Sequence, residues 1–324
     1  MTLGKHGFVL GKFLPPHAGH VHLIEFAQRC VERLTIVVGT LAREPNPGEL
    51  RVRWMRELFP RANVVHLTDD NPQDPSEHPQ FWEIWKASIR RVVPEPIDCV
   101  FASEAYGARL AADHGARFVP VDPARAAVPI SGTAVRADPF GSWQYLPPPV
   151  RAHYAKRVCI AGAESTGKST LAAQLADHYQ TVHVPEYARA YLELHDRSPV
   201  AADMPIIATG QLAAEDVLAT RCHKLLVTDT DALVTQLWSE ALFGTVDPAV
   251  SALAARRYDL TIVTGPELPF EPDPVRYLPA QRAAFHARCL EELAARDRRF
   301  LVISGDREAR LRAACAAIDA LFQA

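Results

Sequence analysis

Short apolar runs alternate with amphipathic stretches along the whole chain, and this alternation limits the fold more than any other feature. In the first half the apolar runs are HGFVLG, LTIVVG, NVVHL, DCVFAS and RFVPV. Between them, VHLIEFAQRCVERL, RVRWMRELF, FWEIWKASIRRVV and EAYGARLAADHG have apolar residues at helical spacing. Short, almost wholly apolar runs are typical of strands buried on both faces of a parallel sheet. The pattern therefore predicts an α/β fold built on parallel sheets.

The alternation is interrupted once, at residues 137–157, where the chain has four prolines and a glycine. We place a domain boundary there, with one domain at residues 1–145 and a second at residues 155–324. In the second domain the apolar runs RVCIAG, TVHVPEY, KLLVTDT, LTIVTG and RFLVISG are predicted strands, and a helix is predicted to begin at Lys168. A length of 324 residues is enough for two cores of ordinary size.

Composition excludes several classes of function. A formal net charge of −3 does not support broad nucleic-acid binding, so any anion site must be local. No run approaches the roughly 18 apolar residues of a membrane span, and the N-terminus does not resemble a signal peptide. The six cysteines are scattered without a CxxC pair, which indicates free thiols in a reducing compartment. We therefore expect a cytoplasmic protein with small-molecule substrates, and its oligomeric state stays open.

The segment GAESTGKS, residues 162–169, matches G-x-x-x-x-G-K-[ST] and lies between a predicted strand and a predicted helix. Gly162 and Gly167 allow the backbone amides to approach phosphate oxygens. Lys168 is expected to reach the β- and γ-phosphates, and Ser169 to bind Mg²⁺, the expected cofactor beside the co-substrate ATP. Four further residues are predicted to bind phosphate, which are Glu164, Ser165 and Thr166 of the same loop and Thr170 directly after it.

Three other features of the second domain bear on chemistry. Asp229 ends the strand LLVTDT, where P-loop enzymes place the carboxylate linked to Mg²⁺. Glu186, in PEYAR, is a candidate base for a sugar hydroxyl, with a solvated turn glutamate as the alternative. Arg276 and Arg282 lie in a proline-broken segment that is either a lid clamping the transferred phosphoryl group or an ordinary surface loop.

In the first domain, GKFLPPHAGH at residues 11–20 places His17 and His20 between a strand and a helix start. A metal site would need a third ligand and more usually has i, i+4 spacing. The N-terminus of a helix favours anions instead. The segment ISGTAVR, residues 130–136, supplies a serine, a threonine and an arginine near another helix start. The two segments are predicted to form one phosphate clamp, with histidines in purely structural roles as the alternative.

These two segments resemble the motifs of the nucleotidyltransferase superfamily, [HT]-x-G-H after the first strand and I-S-x-T-x-x-R late in the domain. A phosphate acceptor is already anionic at pH 7, so adenylyl transfer needs no general base. We assign His20, Lys12 and Arg136 to charge in the transition state, and His17, Ser131 and Thr133 to phosphate positioning. The remaining predicted ATP- or phosphate-binding residues of this domain are Gly11, Phe13, Gly19, Ser103 and Glu104.

An adenylyltransferase followed by a P-loop kinase resembles the NadR-type proteins of NAD synthesis. FASEAYG, PEYARAY and VTDTD occur in that family's order, together with the three motifs above. The resemblance implies phosphorylation of nicotinamide riboside by ATP in the second domain. It implies joining of the mononucleotide to AMP in the first, giving NAD and pyrophosphate. The candidates for stacking on nicotinamide, each with core packing as its alternative, are Trp82, Trp85, Tyr187, Tyr191 and Trp238.

Some members of this family begin with a helix-turn-helix domain, for which there is no room before the first predicted strand. We therefore expect an enzyme and not a repressor. Two other interpretations stay open. One is a nucleotidyltransferase for a different phosphorylated acceptor, fused to a different nucleoside kinase. The other is a regulator that binds nucleotides without turnover.

Overall fold

The computed structural model describes residues 2–323, and the chain divides into two compact units, Met1–Val150 and Arg151–Ala324. The division falls inside the proline-rich stretch at residues 137–157. Among the described residues, none of the helices has the length and apolar character needed to cross a membrane. Each unit has its own five-stranded sheet, in which every pairing is parallel.

The first unit alternates strands and helices from its start. Its elements are β1 (Gly4–Gly11), α1 (Ala18–Cys30), β2 (Val31–Gly39), α2 (Gly48–Leu58), β3 (Asn63–Leu67), α3 (Phe81–Val92), β4 (Cys99–Ala102), α4 (Tyr106–His114), β5 (Arg117–Pro120), α5 (Gly132–Ala137) and α6 (Pro148–Tyr154), the last extending into the second unit. The strand order is β3-β2-β1-β4-β5. All five predicted strands of this half are present, and β1 is at the centre.

Alternate residues of the central strands face two separate clusters of apolar side chains. Val9 and Ile36 pack on one side of the sheet with Ile24 of α1. Phe8 and Val37 pack on the other side with Ile89 of α3. Because strand side chains alternate between faces, a strand covered by helices on both sides must be apolar at successive positions. This arrangement explains the uninterrupted apolar runs in the sequence.

The helix predicted over residues 21–34 ends earlier than expected. In the structure α1 stops at Cys30, and Val31 already has extended backbone angles and pairs with Gly4 of β1. Val31 and Leu34 are both buried, and a spacing of three suits a helix face as well as a strand. Periodicity alone therefore could not find the end of α1.

The second unit repeats this architecture with different connections. Its elements are β6 (Lys156–Ala161), α7 (Lys168–His178), β7 (His183–Val184), α8 (Tyr187–His195), α9 (Asp203–Ala219), β8 (Leu225–Asp229), α10 (Ala232–Phe243), α11 (Pro248–Leu253), β9 (Leu260–Thr264), α12 (Arg282–Ala295), β10 (Phe300–Ile303) and α13 (Arg307–Gln323). The strand order is β10-β9-β6-β8-β7, so β6 is central. The predicted strand at residues 181–187 shrinks to two residues, because β7 lies at the sheet edge and Pro185 follows it.

A buried ion pair connects the residue before α10 with the segment that precedes β10. The Asp231 carboxylate caps α10 by accepting from the Val234 amide at 3.0 Å. Its other oxygen lies 2.5 Å from Nη1 of Arg298, and both side chains are almost fully buried. Arg298 also donates to the carbonyl oxygens of Ala254 and Arg256. The buried ion pair therefore joins three segments of the chain.

Replacing Arg298 with methionine should lower the free energy of unfolding of the second unit by about 3 kcal/mol, because Asp231 would stay buried without its cation. Urea denaturation of the variant and the unaltered protein measures this change. The matched control is Arg312→Met, since Arg312 is exposed and pairs with Glu308 one helical turn away. That substitution should change the free energy by less than about 1 kcal/mol. Equal effects of the two substitutions would contradict the role given to the buried pair.

Candidate active sites

The first unit has a cleft of about 780 Å³ at the carboxyl ends of its central strands. Ligands collect at this edge of open parallel sheets, next to the strand where the order of connections reverses. Most of the predicted residues line the cleft, namely Gly11, Lys12, Phe13, His17, Gly19, His20, Trp82, Trp85, Ser103, Glu104 and Arg136. Ser131 and Thr133 are missing from its described lining. The structure thus brings most of the predicted first site together.

His17 and His20 are held by the backbone of the turn they occupy. His17 is the N-cap of α1, and its Nδ1 accepts from the Gly19 amide at 3.2 Å. In return the His17 amide donates to Nδ1 of His20 at 3.3 Å. The two rings stack with their centroids 3.8 Å apart. Because both Nδ1 atoms accept hydrogen bonds, each neutral ring carries its proton on Nε2, as a donor for a ligand.

Burial keeps these two imidazoles neutral. It lowers the pKa of His17 to about 4, and the nearby Arg125 guanidinium acts in the same direction. The pKa of His20 is also held well below its usual value by burial, with the charges of His17 and Arg125 as further causes. In this structure the pair therefore offers hydrogen bonds and not full positive charges. Positive charge in the cleft comes from Lys12, Arg125 and Arg136, of which Arg125 was not predicted.

The second motif of the first unit packs against the first. Nη1 of Arg136 donates to the Leu14 carbonyl at 2.6 Å, which draws α5 onto the loop after β1. A Cβ added to Gly132 would lie 3.3 Å from both Nη1 of Arg136 and the Leu14 carbonyl oxygen, so a larger residue there would crowd this hydrogen bond. Ser131 caps α5 by accepting from the Ala134 amide, and Thr133 accepts from Arg136. The hydroxyls predicted to position phosphate thus hold α5 and Arg136.

A carboxylate that was not predicted organises the loop after β1. Glu44 lies 3.2 Å from Nζ of Lys12 and 2.6 Å from Nη2 of Arg51, which is completely buried. Burial would raise the pKa of Glu44, but the Leu41 amide and the Arg51 guanidinium hold it below its usual value. Arg51 also donates to the Lys12 carbonyl at 2.9 Å. These contacts fix both the backbone and the ammonium group of Lys12.

Aromatic side chains and one further ion pair complete the first cleft. Nε1 of Trp85 donates to the Pro72 carbonyl at 2.9 Å, and the Arg109 guanidinium lies 5.6 Å from the ring centre of Trp82. Glu104 and Arg125 form an exposed ion pair at 3.6 Å. Phe13 is buried, with a left-handed φ of 47°, and its ring contacts that of His20. The cleft therefore combines an apolar wall with cations of which two, Lys12 and Arg125, are paired with carboxylates.

The low pKa of His17 predicts a specific dependence of stability on pH. The unfolded chain binds a proton at His17 below about pH 6.5, whereas the folded chain binds it only near pH 4. Stability therefore falls as the pH is lowered through this window. His17→Gln should remove about 3 kcal/mol of that fall. Urea denaturation of both proteins from pH 7 to pH 4 tests this, and parallel pH curves would contradict it.

In the second unit, the loop after β6 has the backbone conformation expected of a phosphate-binding loop. Gly162 and Gly167 have φ of 137° and 80°, and Ser165 between them has φ of 56°. A Cβ at Gly162 would lie 2.6 Å from Oγ1 and 2.9 Å from the carbonyl oxygen of Thr264 on β9. Only glycine therefore lets this loop pass so close to the neighbouring strand. The loop leads directly into α7.

Side chains from distant parts of the second unit hold this loop in place. Nζ of Lys168 donates to the Ala163 carbonyl at 2.8 Å, across the turn of the loop. Arg310 of α13 is buried and donates to the carbonyl oxygens of Thr166 at 2.7 Å and Gly265 at 3.0 Å. Thr166 donates to or accepts from Thr264 at 2.6 Å. The contribution of Arg310 was not predicted, because it lies 144 residues after Thr166.

The second cleft has a volume of about 260 Å³ and lies at the carboxyl ends of β6, β7 and β8. The predicted residues that line it are Glu164, Ser165, Thr166, Gly167, Lys168, Ser169, Thr170, Glu186, Arg276 and Trp238. Of the aromatic candidates, Tyr187 and Tyr191 do not belong to its described lining. Tyr187 packs against Gly210, and the Tyr191 hydroxyl donates to Asp203 at 2.9 Å. For these two tyrosines the structure favours packing, and Tyr277, which was not predicted, lines the cleft.

Two carboxylates lie close to Lys168. Burial raises the pKa of Asp229, while the Lys168 ammonium and the Ser169 hydroxyl act in the opposite direction. Burial also raises the pKa of Glu186, which Lys168 opposes and Asp229 reinforces. Oδ1 of Asp229 is buried and has no hydrogen-bond partner among the described residues. Asp231, the other acid of this turn, is committed to Arg298.

The unpartnered oxygen of Asp229 beside Ser169 suits a cation. Mg²⁺ usually takes one or two protein oxygens and completes its shell with phosphates and water. Within residues 2–323, no group of three or more histidine, cysteine or acidic side chains could hold a metal ion. His17 and His20 therefore lack the further ligands of a metal site. The residues around Asp229 fit Mg²⁺ only in company with a bound phosphate.

The proline-broken segment at residues 268–282, here called the lid segment, packs on the phosphate-binding loop. Arg282 donates to the carbonyl oxygens of Glu164, Ser165 and Leu268 at 2.9–3.1 Å. Its guanidinium is thus engaged with backbone and does not line the cleft. Arg276 does line the cleft, with Nη1 3.4 Å from the Ser165 hydroxyl. Of the two arginines predicted to clamp a phosphoryl group, the structure brings only Arg276 to the site.

Two parallel sheets, each with a cleft at its carboxyl edge lined by predicted phosphate-binding residues, are typical of α/β nucleotide-binding proteins. Comparison with known proteins agrees with this class. The family model described as AAA domain matches residues 157–310, which include the P-loop. The trifunctional NAD biosynthesis/regulator protein NadR of Escherichia coli (strain K12) is 31% identical over 294 residues, covering 84% of this chain and 72% of that protein.

Solved structures share the fold over the full chain. A crystal structure of NadR protein in complex with NR has a TM-score of 0.77 and 22% identity, covering 99% of this chain and 97% of its own. Another, in complex with NAD and AMP-PNP, has a TM-score of 0.75 and 22% identity, with coverages of 100% and 98%. The chain belongs to the NadR family, as the motif resemblance predicted.

Proposed function

We propose that this chain is a bifunctional enzyme of NAD biosynthesis. The second unit phosphorylates nicotinamide riboside with ATP, and the first unit transfers AMP from ATP to the resulting mononucleotide, giving NAD and pyrophosphate. The observation that carries the proposal is the meeting of His17, His20 and Arg136 at one cleft while a separate unit presents a P-loop. The names of the relative and of the two solved structures, which mention NAD biosynthesis, NR and NAD, support it.

In the kinase unit the cationic and the anionic residues have different roles. Lys168 and the amides after Gly167 stabilise the phosphates of ATP, and Asp229 with Ser169 would hold Mg²⁺. Mg²⁺ supplies charge neutralisation on the β- and γ-phosphates when bound. Glu186 accepts the proton of the acceptor hydroxyl, and its raised pKa brings it nearer to the operating pH of a base. Trp238 provides an apolar surface for the nicotinamide ring of the acceptor.

In the adenylyltransferase unit no base is required, since the acceptor phosphate is already anionic. The Nε2–H groups of His17 and His20 donate hydrogen bonds to phosphate oxygens at the start of α1, where the helix dipole also favours anions. Lys12 and Arg136 stabilise the charge that grows on the α-phosphate and on pyrophosphate. This division differs from the sequence prediction for His20, which acts as a neutral donor.

One incubation tests the two activities together. Purified protein is mixed with nicotinamide riboside, ATP and Mg²⁺, and the mononucleotide and NAD are followed by chromatography. The proposal expects the mononucleotide first and NAD afterwards, and neither product when Mg²⁺ is removed by a chelator. Mononucleotide without NAD would refute the first-unit assignment and turn attention to other phosphorylated acceptors. Absence of both products, with ATP bound but not consumed, would favour a regulator over an enzyme.

Lys168→Ala should reduce phosphorylation of nicotinamide riboside by a factor of about 100 or more, because a buried cation at the phosphates is lost. Formation of NAD from added mononucleotide should stay near the unaltered rate, since Lys168 belongs only to the second unit. Initial rates of both reactions, measured on the same preparation, check the prediction. Loss of both activities would mean that the two units are not independent.

His20→Ala should have the opposite pattern. The loss of one Nε2–H donor at the phosphates is expected to slow NAD formation by a factor of about 100, while the riboside is still phosphorylated. The mononucleotide should therefore accumulate in the coupled incubation. His22→Ala is the matched control, because His22 is on the same helix but does not line the cleft. A similar loss in both variants would point to a folding defect.

A further inference from the structure

The lid segment is tied to the phosphate-binding loop at several points along its length. Arg282 connects the Leu268 carbonyl at one end with the Glu164 and Ser165 carbonyls of the loop. In the middle, the Ser165 hydroxyl accepts from the Glu271 amide at 2.8 Å. These contacts make the phosphate-binding loop the platform on which the lid segment rests.

The most specific of these ties is the Glu164 carboxylate. One of its oxygens accepts from the Tyr277 amide and the other from the Leu278 amide, both at 2.9 Å. Glu164 is only 7% exposed, so these charge-assisted bonds are well shielded from water. Glu164 was predicted to bind phosphate, but an anionic side chain beside a polyphosphate repels it. The carboxylate instead binds two backbone amides of the lid segment and holds that segment in place.

The hydrogen bonds from the Tyr277 and Leu278 amides matter because the side chains at residues 276 and 277 reach the second cleft. Arg276 and Tyr277 both line the second cleft, next to each other in the chain. Holding two successive amides fixes the direction in which these side chains leave the backbone. Helix α8 adds one more tie, because Nη1 of Arg189 lies 3.1 Å from Asp273 of the lid segment. The geometry of the cleft on this side is therefore set by Glu164 together with Arg189.

We propose that Glu164 is a positioning residue that couples the phosphate-binding loop to the lid segment, and thereby controls binding of the nucleoside acceptor. This inference rests on the proposed kinase activity. Since the amides that hold phosphate belong to the loop backbone, ATP binding depends little on the Glu164 side chain. The acceptor depends on it more, because Tyr277, whose amide Glu164 holds, lines the cleft and offers an aromatic surface to the acceptor.

Two substitutions separate these effects. Glu164→Gln keeps the size of the side chain and one acceptor oxygen but replaces the other with an amide donor, which opposes the lid N–H. It should raise the KM for nicotinamide riboside about tenfold, as expected for the loss of a hydrogen bond to a charged group. The KM for ATP should stay near the unaltered value. Glu164→Ala, which removes both acceptors, should raise the KM for the riboside further.

Glu308→Gln is the matched control, because Glu308 is an exposed glutamate of the same unit. It should leave both KM values unchanged. The kcat for riboside phosphorylation at saturating substrates, measured on the same preparations, shows that the second unit of each variant is folded. A KM for ATP that rises as much as that for the riboside would overturn the proposal, because Glu164 would then act on the phosphate-binding loop itself.

Amide hydrogen exchange gives a readout that does not depend on turnover. The amides of Tyr277 and Leu278 should exchange faster in Glu164→Gln and Glu164→Ala than in the unaltered chain, whereas the Glu308→Gln chain should match it. Unchanged exchange at both amides would overturn the coupling. If the unaltered protein does not phosphorylate the riboside, the proposed function fails, and the exchange measurement still decides whether Glu164 holds the lid segment.

Discussion

The structure depends on one constraint, which is that parallel strands end at a common edge. β1 and β6 are each the central strand of a sheet, with the next two strands of the chain on one side and the last two on the other. A loop that leaves the central strand therefore enters a crevice, and the helix after it begins with free amides. In both units the loop that is predicted to bind phosphate lies at this crevice. The positions of nearly all the candidate residues follow from it.

The two units solve the same electrostatic problem with different groups. In the second, Lys168 lies among carboxylates whose pKa values are raised by burial, so positive and negative groups are kept close together in a small cleft. In the first, burial removes the charge from two stacked imidazoles and leaves the positive charge to the lysine and arginines of the cleft. The difference suits the acceptors proposed for each unit, because a hydroxyl needs a base whereas a phosphate does not.

Much of this could be predicted from the sequence, because the strands of a doubly covered sheet are apolar along their length and the loop motifs are local. The ten strands and the residues of GAESTGKS and GKFLPPHAGH are of this kind. Arg125, Glu44 and Arg310 were missed, since their roles come from tertiary contacts that have no local signature. Tyr187 and Tyr191 were chosen in place of Tyr277 because core aromatics and cleft aromatics have the same sequence pattern. Helix ends such as Cys30 also depend on strand pairing.

The dependence of the phosphate-binding loop on Arg310 has a consequence for the order in which the chain matures on the ribosome. The first unit ends at Val150, but the carbonyl oxygens of Thr166 and Gly265 acquire their guanidinium partner only when the last helix is made. At translation rates of 5–20 residues per second, the interval between Val150 and Arg310 is roughly 10 to 30 seconds. The first cleft of the nascent protein can thus fold well before Arg310 forms the hydrogen bonds that hold the phosphate-binding loop of the second.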